Sequence, residues 1–214
     1  MKRFLLLTAA ALILALVASS SFAAKGSAFG SLATAKTVGQ GIGDLGGGIG
    51  IADATSFFAN FTYGTSQYTD IKLKLGLIDA DASDTKLVLG ADFKYQYLST
   101  VADKTPVDLA FGGLVEYTDL DYSSIFEIGA FVSSSFPIAL KNGGTLSPYG
   151  RFNARLESLS FDNPHAGGDD SDSNLEVGFN GGVEWQATDV LKLFGEFQLD
   201  GNEGLFLGIN INVM

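Results

Sequence analysis

Between Asp70 and Leu98 the chain alternates apolar and polar residues almost without error, and it puts charges in the middle of both runs. Ile71, Leu73, Leu75 and Leu77 fall on one side of an extended segment, with Lys72, Lys74 and Gly76 on the other. Leu87, Leu89, Ala91, Phe93, Tyr95 and Tyr97 likewise oppose Lys86, Val88, Gly90, Asp92, Lys94 and Gln96. Side chains of a strand point to opposite faces with period 2. The stretch therefore predicts a β-hairpin turning at Asp79 to Asp84, apolar on one face and charged on the other. A lysine in mid-strand cannot easily reach bulk water around a strand end. Either the polar face looks into water and the apolar face into a protein core, or the polar face lines a barrel and the apolar face meets lipid.

The alternation continues along the chain and predicts about ten strands, or eight or twelve if end runs merge or split. It begins with Leu45, Gly47, Ile49 and Ile51, then Phe57, Ala59, Phe61 and Tyr63, and closes with Leu205, Leu207, Ile209, Ile211 and Val213. Asn142-Gly143-Gly144 is a local hairpin signal, because both glycines take positive φ freely. Pro106, Pro137, Pro148 and Pro164 fall at strand ends or in loops, where no ladder N–H is lost.

The first residues read as export machinery. Met1-Lys2-Arg3, the uncharged run Phe4 to Ala18 and Ser21-Phe22-Ala23 have the basic, apolar and small-residue regions of a secretory signal, cleaved after Ala23. The apolar run falls short of the roughly 20 residues that a helix needs to span a bilayer. Residues 24–43 are small, Gly-rich and out of phase, so they read either as a lead-in or as a bulged start of the first strand, with the barrel at 44–214. Cysteine is absent, which excludes a disulfide scaffold and a thiol-anchored lipoprotein. Without Lys2 and Arg3 the chain carries 11 Lys plus Arg against 24 Asp plus Glu, a formal charge of −13, and nucleic acid is excluded as a partner.

A secreted β-sandwich would alternate too, but three features favour lipid. Strands of about ten residues, tilted by about 45°, span the apolar band of an outer membrane, roughly 25 Å. The polar face is nearly neutral in a chain that is not: Lys72, Lys74, Lys86, Lys94, Arg151, Arg155 and Lys192 meet Asp92, Asp108, Glu116, Glu127, Glu157, Glu176, Glu184 and Glu196. A narrow lumen demands such pairing, because unpaired buried charge is costly. Aromatic residues crowd the strand ends, where rings would straddle the headgroup boundary: Tyr63, Tyr68, Tyr95, Tyr97, Tyr117, Tyr122, Phe126, Phe136, Tyr149, Phe161 and Trp185.

With these features in place, the chain resembles the small outer-membrane β-barrels of Gram-negative bacteria. The likeness is carried by Tyr63-Gly64-Thr65-Ser66-Gln67-Tyr68-Thr69-Asp70, and by Trp185-Gln186-Ala187-Thr188-Asp189 leading into Leu191 to Phe197. Both look like that family's short periplasmic turns. The final strand, which in the family usually ends on an aromatic residue, here ends on Val213-Met214. The resemblance implies periplasmic termini, and outer turns near Asp53, Asp79 to Asp84, Asp119 to Ser124, Asp162 to Asn174 and Asp200 to Gly204. It also implies contact with outer-membrane lipid and lipopolysaccharide, and passage through the barrel-assembly machinery.

Hidden chemistry is sparse. His165 stands alone among Asp162, Asp169, Asp170 and Asp172; some related barrels are rim proteases, but no second acidic pair is placed by motif. Asp170-Ser171-Asp172-Ser173-Asn174 begins like a calcium loop and then offers Leu175 for the turn Gly and Gly181 for the bidentate Glu. Gly46-Gly47-Gly48 and Gly112-Gly113 precede no helix, so they read as barrel packing and not phosphate cradles. No catalytic, cofactor or metal residue is expected. The expected protein is a monomeric, closed, antiparallel up-and-down transmembrane barrel, its lumen charge-networked and largely plugged, with Phe58, Phe131, Phe194 and Phe206 pointing inward. It would serve as an envelope structural protein or a narrow small-solute pore. The alternatives are a secreted soluble barrel binding an apolar ligand, and a rim protease.

Overall fold

The computed structural model describes residues 27–52, 54–80, 85–120, 123–141, 143–161, 170–201 and 203–213. The strands are β1 (Gly43–Ile51), β2 (Ala54–Gly64), β3 (Thr69–Ala80), β4 (Lys86–Leu98), β5 (Asp108–Leu120), β6 (Ser123–Ser135), β7 (Ile138–Ala139), β8 (Thr145–Phe161), β9 (Asp170–Gln186), β10 (Leu191–Leu199) and β11 (Gly204–Asn212). All pairings are antiparallel between chain neighbours, except that β6 skips the two-residue β7 to pair with β8, and β1 pairs with β11. The result is a closed ring of ten strands with β7 outside it. Closure satisfies every edge, which an open sheet cannot do away from water.

The faces sort as the period demands. Leu73, Leu89 and Leu207 point outward at 54, 46 and 45% exposure, whereas Lys74 and Glu116 point inward at 6 and 3%. Phe58, Phe131, Phe194 and Phe206 are buried inside, as the sequence predicts. A soluble barrel would have these faces exchanged. Of the aromatic residues expected at strand ends, Tyr63, Tyr68, Tyr95, Tyr97, Tyr117, Phe126, Phe136 and Trp185 are exposed on the outside. Tyr149 is the correction: it shares parity with Arg151, turns inward and is 6% exposed. Tyr122, the side chains of Phe161 and Asp170 to Asp172, the whole of Asp162 to Asp169 with His165, and residues 1–26, where the leader is expected, lie outside the described residues.

The largest departure concerns residues 27–42. They form neither a periplasmic lead-in nor a bulged start of β1: residues 27–38 run inside the ring, where Phe29, Leu32 and Ala35 are 0, 2 and 0% exposed. A ring of eight strands is just filled by its own side chains, and ten leave room for more. The chain then reverses at Gly39 (φ +97°) and Gly41 (φ +75°), where Gly41 N–H donates to Gly64 O at 2.9 Å, and enters β1. The end of the ring where β1 starts and β11 finishes is called here the terminal end, and the opposite one the far end.

Candidate functional site in the barrel interior

The inward positions of the strands build two kinds of polar contact. The first runs from wall to wall. Lys74 Nζ lies 3.0 Å from Asp92 and 2.6 Å from Glu116, and Arg151 Nη1 donates to the other Asp92 oxygen at 3.0 Å. Toward the far end Arg155 donates to Asp200 at 2.7 Å through Nη1 and to the Asp200 carbonyl at 2.6 Å, with Glu127 3.6 Å from its Nε. Lys94 pairs with Asp70 at 3.3 Å, and Lys192 with Asp44. Burying ions this deeply is costly, and the pairing offsets that cost only because partners stand at hydrogen-bond distance.

The second kind runs from the wall to the main chain of the inner segment. Glu196 on β10 accepts from the backbone N–H of Ser31 (2.6 Å) and Leu32 (2.8 Å), and from the Ser31 hydroxyl. It also accepts from the Tyr149 hydroxyl (2.7 Å) and Asn180 Nδ2 (2.9 Å). No described cation pairs with this carboxylate; its charge is met by donors alone, which also resolves the buried tyrosine. Lys72 Nζ donates to the carbonyls of Ser31 and Leu32, both at 3.0 Å, and Lys94 Nζ to those of Thr34 (3.1 Å) and Lys36 (2.8 Å). Ser135, Gln96 and Asp70 accept from the N–H groups of Ala35 (3.2 Å), Thr37 (3.0 Å) and Val38 (3.2 Å). Backbone groups removed from water need partners. Here wall side chains take the place of a neighbouring strand.

Two apolar side chains anchor the plug. Phe29 meets Phe58 edge-on, with centroids 5.5 Å apart, and its ring lies where a Cβ on Gly76 would come within 2.5 Å. Leu32 lies where a Cβ would come within 3.2 Å on Gly48 and 2.6 Å on Gly208. Burying two such side chains contributes about 1.5–3 kcal/mol each. Leu32 holds a φ of +37°, a left-handed conformation unusual for a residue with a Cβ. Its N–H bond to Glu196 and its fit between the glycines hold it there.

Of the residues expected in the network, Lys72, Lys74, Lys86, Asp92, Lys94, Asp108, Glu116, Glu127, Arg151, Arg155, Glu157, Glu184 and Glu196 are buried, and Lys192 and Glu176 are half-buried. Not all pair as opposite charges. Asp108 accepts from Gln96 Nε2 (3.0 Å) and Thr100 N–H (2.7 Å), closing the turn between β4 and β5. Sequence reasoning misses Asp44, Asp70 and Asp200. Asp200, assigned to an outer turn, is 4% exposed and holds Arg155.

The sequence matches no protein-family model and no curated protein. Solved structures similar to it include the N-terminal β-barrel domain of Pseudomonas aeruginosa OprF, 13% identical over 82% of this chain and 99% of that one, with a TM-score of 0.40. The KdgM porin is 7% identical over 80% and 99%, at 0.41. Ail, the attachment invasion locus protein of Yersinia pestis, is 10% identical over 81% and 97%, at 0.29. The barrel architecture expected from the sequence is carried by the closed ring itself.

Proposed function

We propose that this protein is an integral outer-membrane β-barrel, exported through a cleaved leader, that serves the envelope as a structural element with its lumen sealed by its own residues 27–38. The observation that supports this most is the orientation of the wall: leucines outward around a closed ring, lysines and glutamates inward. Such an outer face is stable only against hydrocarbon, and the exposed tyrosines and Trp185 suit the boundary above it. Its partners are outer-membrane lipid and lipopolysaccharide, with the barrel-assembly machinery during insertion. The role is not enzymatic.

Cell fractionation with heat-modifiable gel mobility tests this directly. The protein is expected in the outer membrane, migrating faster unheated than boiled. Recovery in a detergent-free soluble fraction overturns the reading. In planar bilayers the intact chain is expected to be silent, and large steady conductance contradicts the seal. A second reading, a narrow pore for small solutes or ions, is favoured by one feature: the plug is a separate strand of chain held by polar contacts, and its withdrawal would leave a charged passage.

A further inference from the structure

Among the described strands only β7 lies outside the ring, and it continues the line of β6 at the terminal end: β6 stops at Ser135, Pro137 interrupts, and β7 resumes on the same neighbour, β8. Period 2 carries the outer face across the interruption, so Phe126, Ile128 and Val132 are followed by Phe136, Ile138 and Leu140, all exposed. Tyr63, Tyr97 and Trp185 each stand one residue inside the terminal end of β2, β4 and β9, and Phe136 one residue past that of β6. Ile138 and Leu140 lie two and four residues beyond this aromatic belt, roughly 5 and 10 Å further down a wall tilted by about 45°. A bilayer of about 40–45 Å around a hydrocarbon core of about 30 Å has headgroup layers about 5–8 Å deep. The β7 hairpin thus reaches headgroup depth.

Its open edge offers little to a protein strand. The N–H groups of Phe136 and Leu140 donate to the carbonyls of Pro148 (3.0 Å) and Gly144 (3.1 Å). Alternation leaves positions 137 and 139 to face the other way, and Pro137 has no N–H. A proline on an edge discourages strand addition. What the hairpin does offer is a side-chain face, apolar outward and ending on the exposed Lys141. A cation just beyond apolar neighbours suits a position where the apolar groups meet glycerol and upper acyl chains and the ammonium meets phosphate.

We propose that the β7 hairpin is a phospholipid anchor, seated among the glycerophospholipid headgroups of the leaflet at the terminal end, with Phe136, Ile138 and Leu140 against lipid and Lys141 on a phosphate. The proposal rests on the outer-membrane reading above and adds to it the lipid class and the place of contact. Continuity with the lipid-facing wall of β6 selects lipid as the occupant. The anchor is one-sided: β1, β10 and β11, on the opposite part of the seam, are nine residues each and carry no strand outside the ring. One sector of the wall is therefore gripped deeper than the rest.

The chain has no cysteine, so single fluorescent labels report one position each. The test places them at Ile138→Cys and Leu140→Cys on the hairpin, at Val132→Cys on the wall of β6, and at Ala102→Cys in the exposed turn after β4. The full chain is folded into phosphatidylcholine vesicles and quenched either by iodide from water or by a nitroxide on the lipid headgroup. Labels at 138 and 140 are expected to be quenched several-fold less by iodide than the label at 102, and several-fold more by the headgroup nitroxide. Adding Lys141→Glu to Leu140→Cys is expected to lower headgroup quenching about twofold. Iodide quenching at 138 and 140 equal to that at 102, with Val132 shielded, overturns the anchor and leaves the membrane reading standing. A Val132 label open to iodide removes both. Headgroup quenching unchanged by Lys141→Glu overturns the phosphate contact.

Discussion

Arg155 and Glu196 are each 1% exposed inside the same ring, and they solve burial in different ways. Arg155 is held by the carboxylates of Glu127, within β6, and Asp200, just past β10, so its neighbourhood is wall bound to wall. Glu196 is held by N–H and O–H donors, two of them on the main chain of the plug. The first arrangement reads the identity of its partners, since removing one charge strands another. The second reads the path of a backbone, with the side chains of Ser31, Tyr149 and Asn180 completing the set of donors. A chain tethered in that way can vary its side chains where they do not pack, yet cannot shift along the lumen without breaking several contacts together.

This contrast can be broken from either side. Deleting residues 27–38 is expected to have the largest effect on passage and a limited one on folding, because the wall pairs remain and water can enter to hydrate Lys72, Lys94 and Glu196. The deleted protein should keep heat-modifiable mobility and show steady conductance in planar bilayers where the intact chain is silent. Arg155→Met should do the reverse. It leaves Asp200 and Glu127 buried without their cation, at a cost of about 3–5 kcal/mol in urea unfolding from lipid vesicles, with no conductance in the protein that does fold.

Smaller changes sharpen the comparison. Glu196→Gln keeps one acceptor oxygen and loses the charge that gathers five donors, so it should cost about 1–3 kcal/mol and produce brief channel openings as the plug loosens. Lys36→Ala should cost no more than about 0.5 kcal/mol, since Lys94 binds the carbonyl of residue 36 and the exposed side chain is not part of that contact. A large loss at Lys36, equal to that at Glu196, would show that the plug is held by its side chains after all.

The wall was legible because period 2 links every residue to a face, so one correct parity assigns a whole strand. Tyr149 was readable by the same rule, two positions from Arg151, but its place near a strand end suggested the boundary instead. Asp70 and Asp200 were lost for a similar reason: they end strands, where sequence patterns assign turns, and the structure turns both inward. The plug left almost no periodic trace, since a segment bound through its main chain needs no alternation. Its signal was on the other side of the contact. Gly48, Gly76, Gly90 and Gly208 all fall on the polar face, and an inward glycine leaves volume that the ring does not fill. Beside them stands a stretch of small residues from Gly26 to Gly43, thin enough to fill it.

Gly48 and Gly208 are register partners across the junction of β1 and β11, and Leu32 rests on both. That junction joins the earliest strand of the chain to the latest, so it is the last seam a growing ring can zip. Before it zips, the groove that receives Leu32 is only half made. Sealing is therefore finished with the ring: an incomplete one can hold its stopper through Lys72, Lys94 and Phe58, but only the closed seam completes the seat of Leu32.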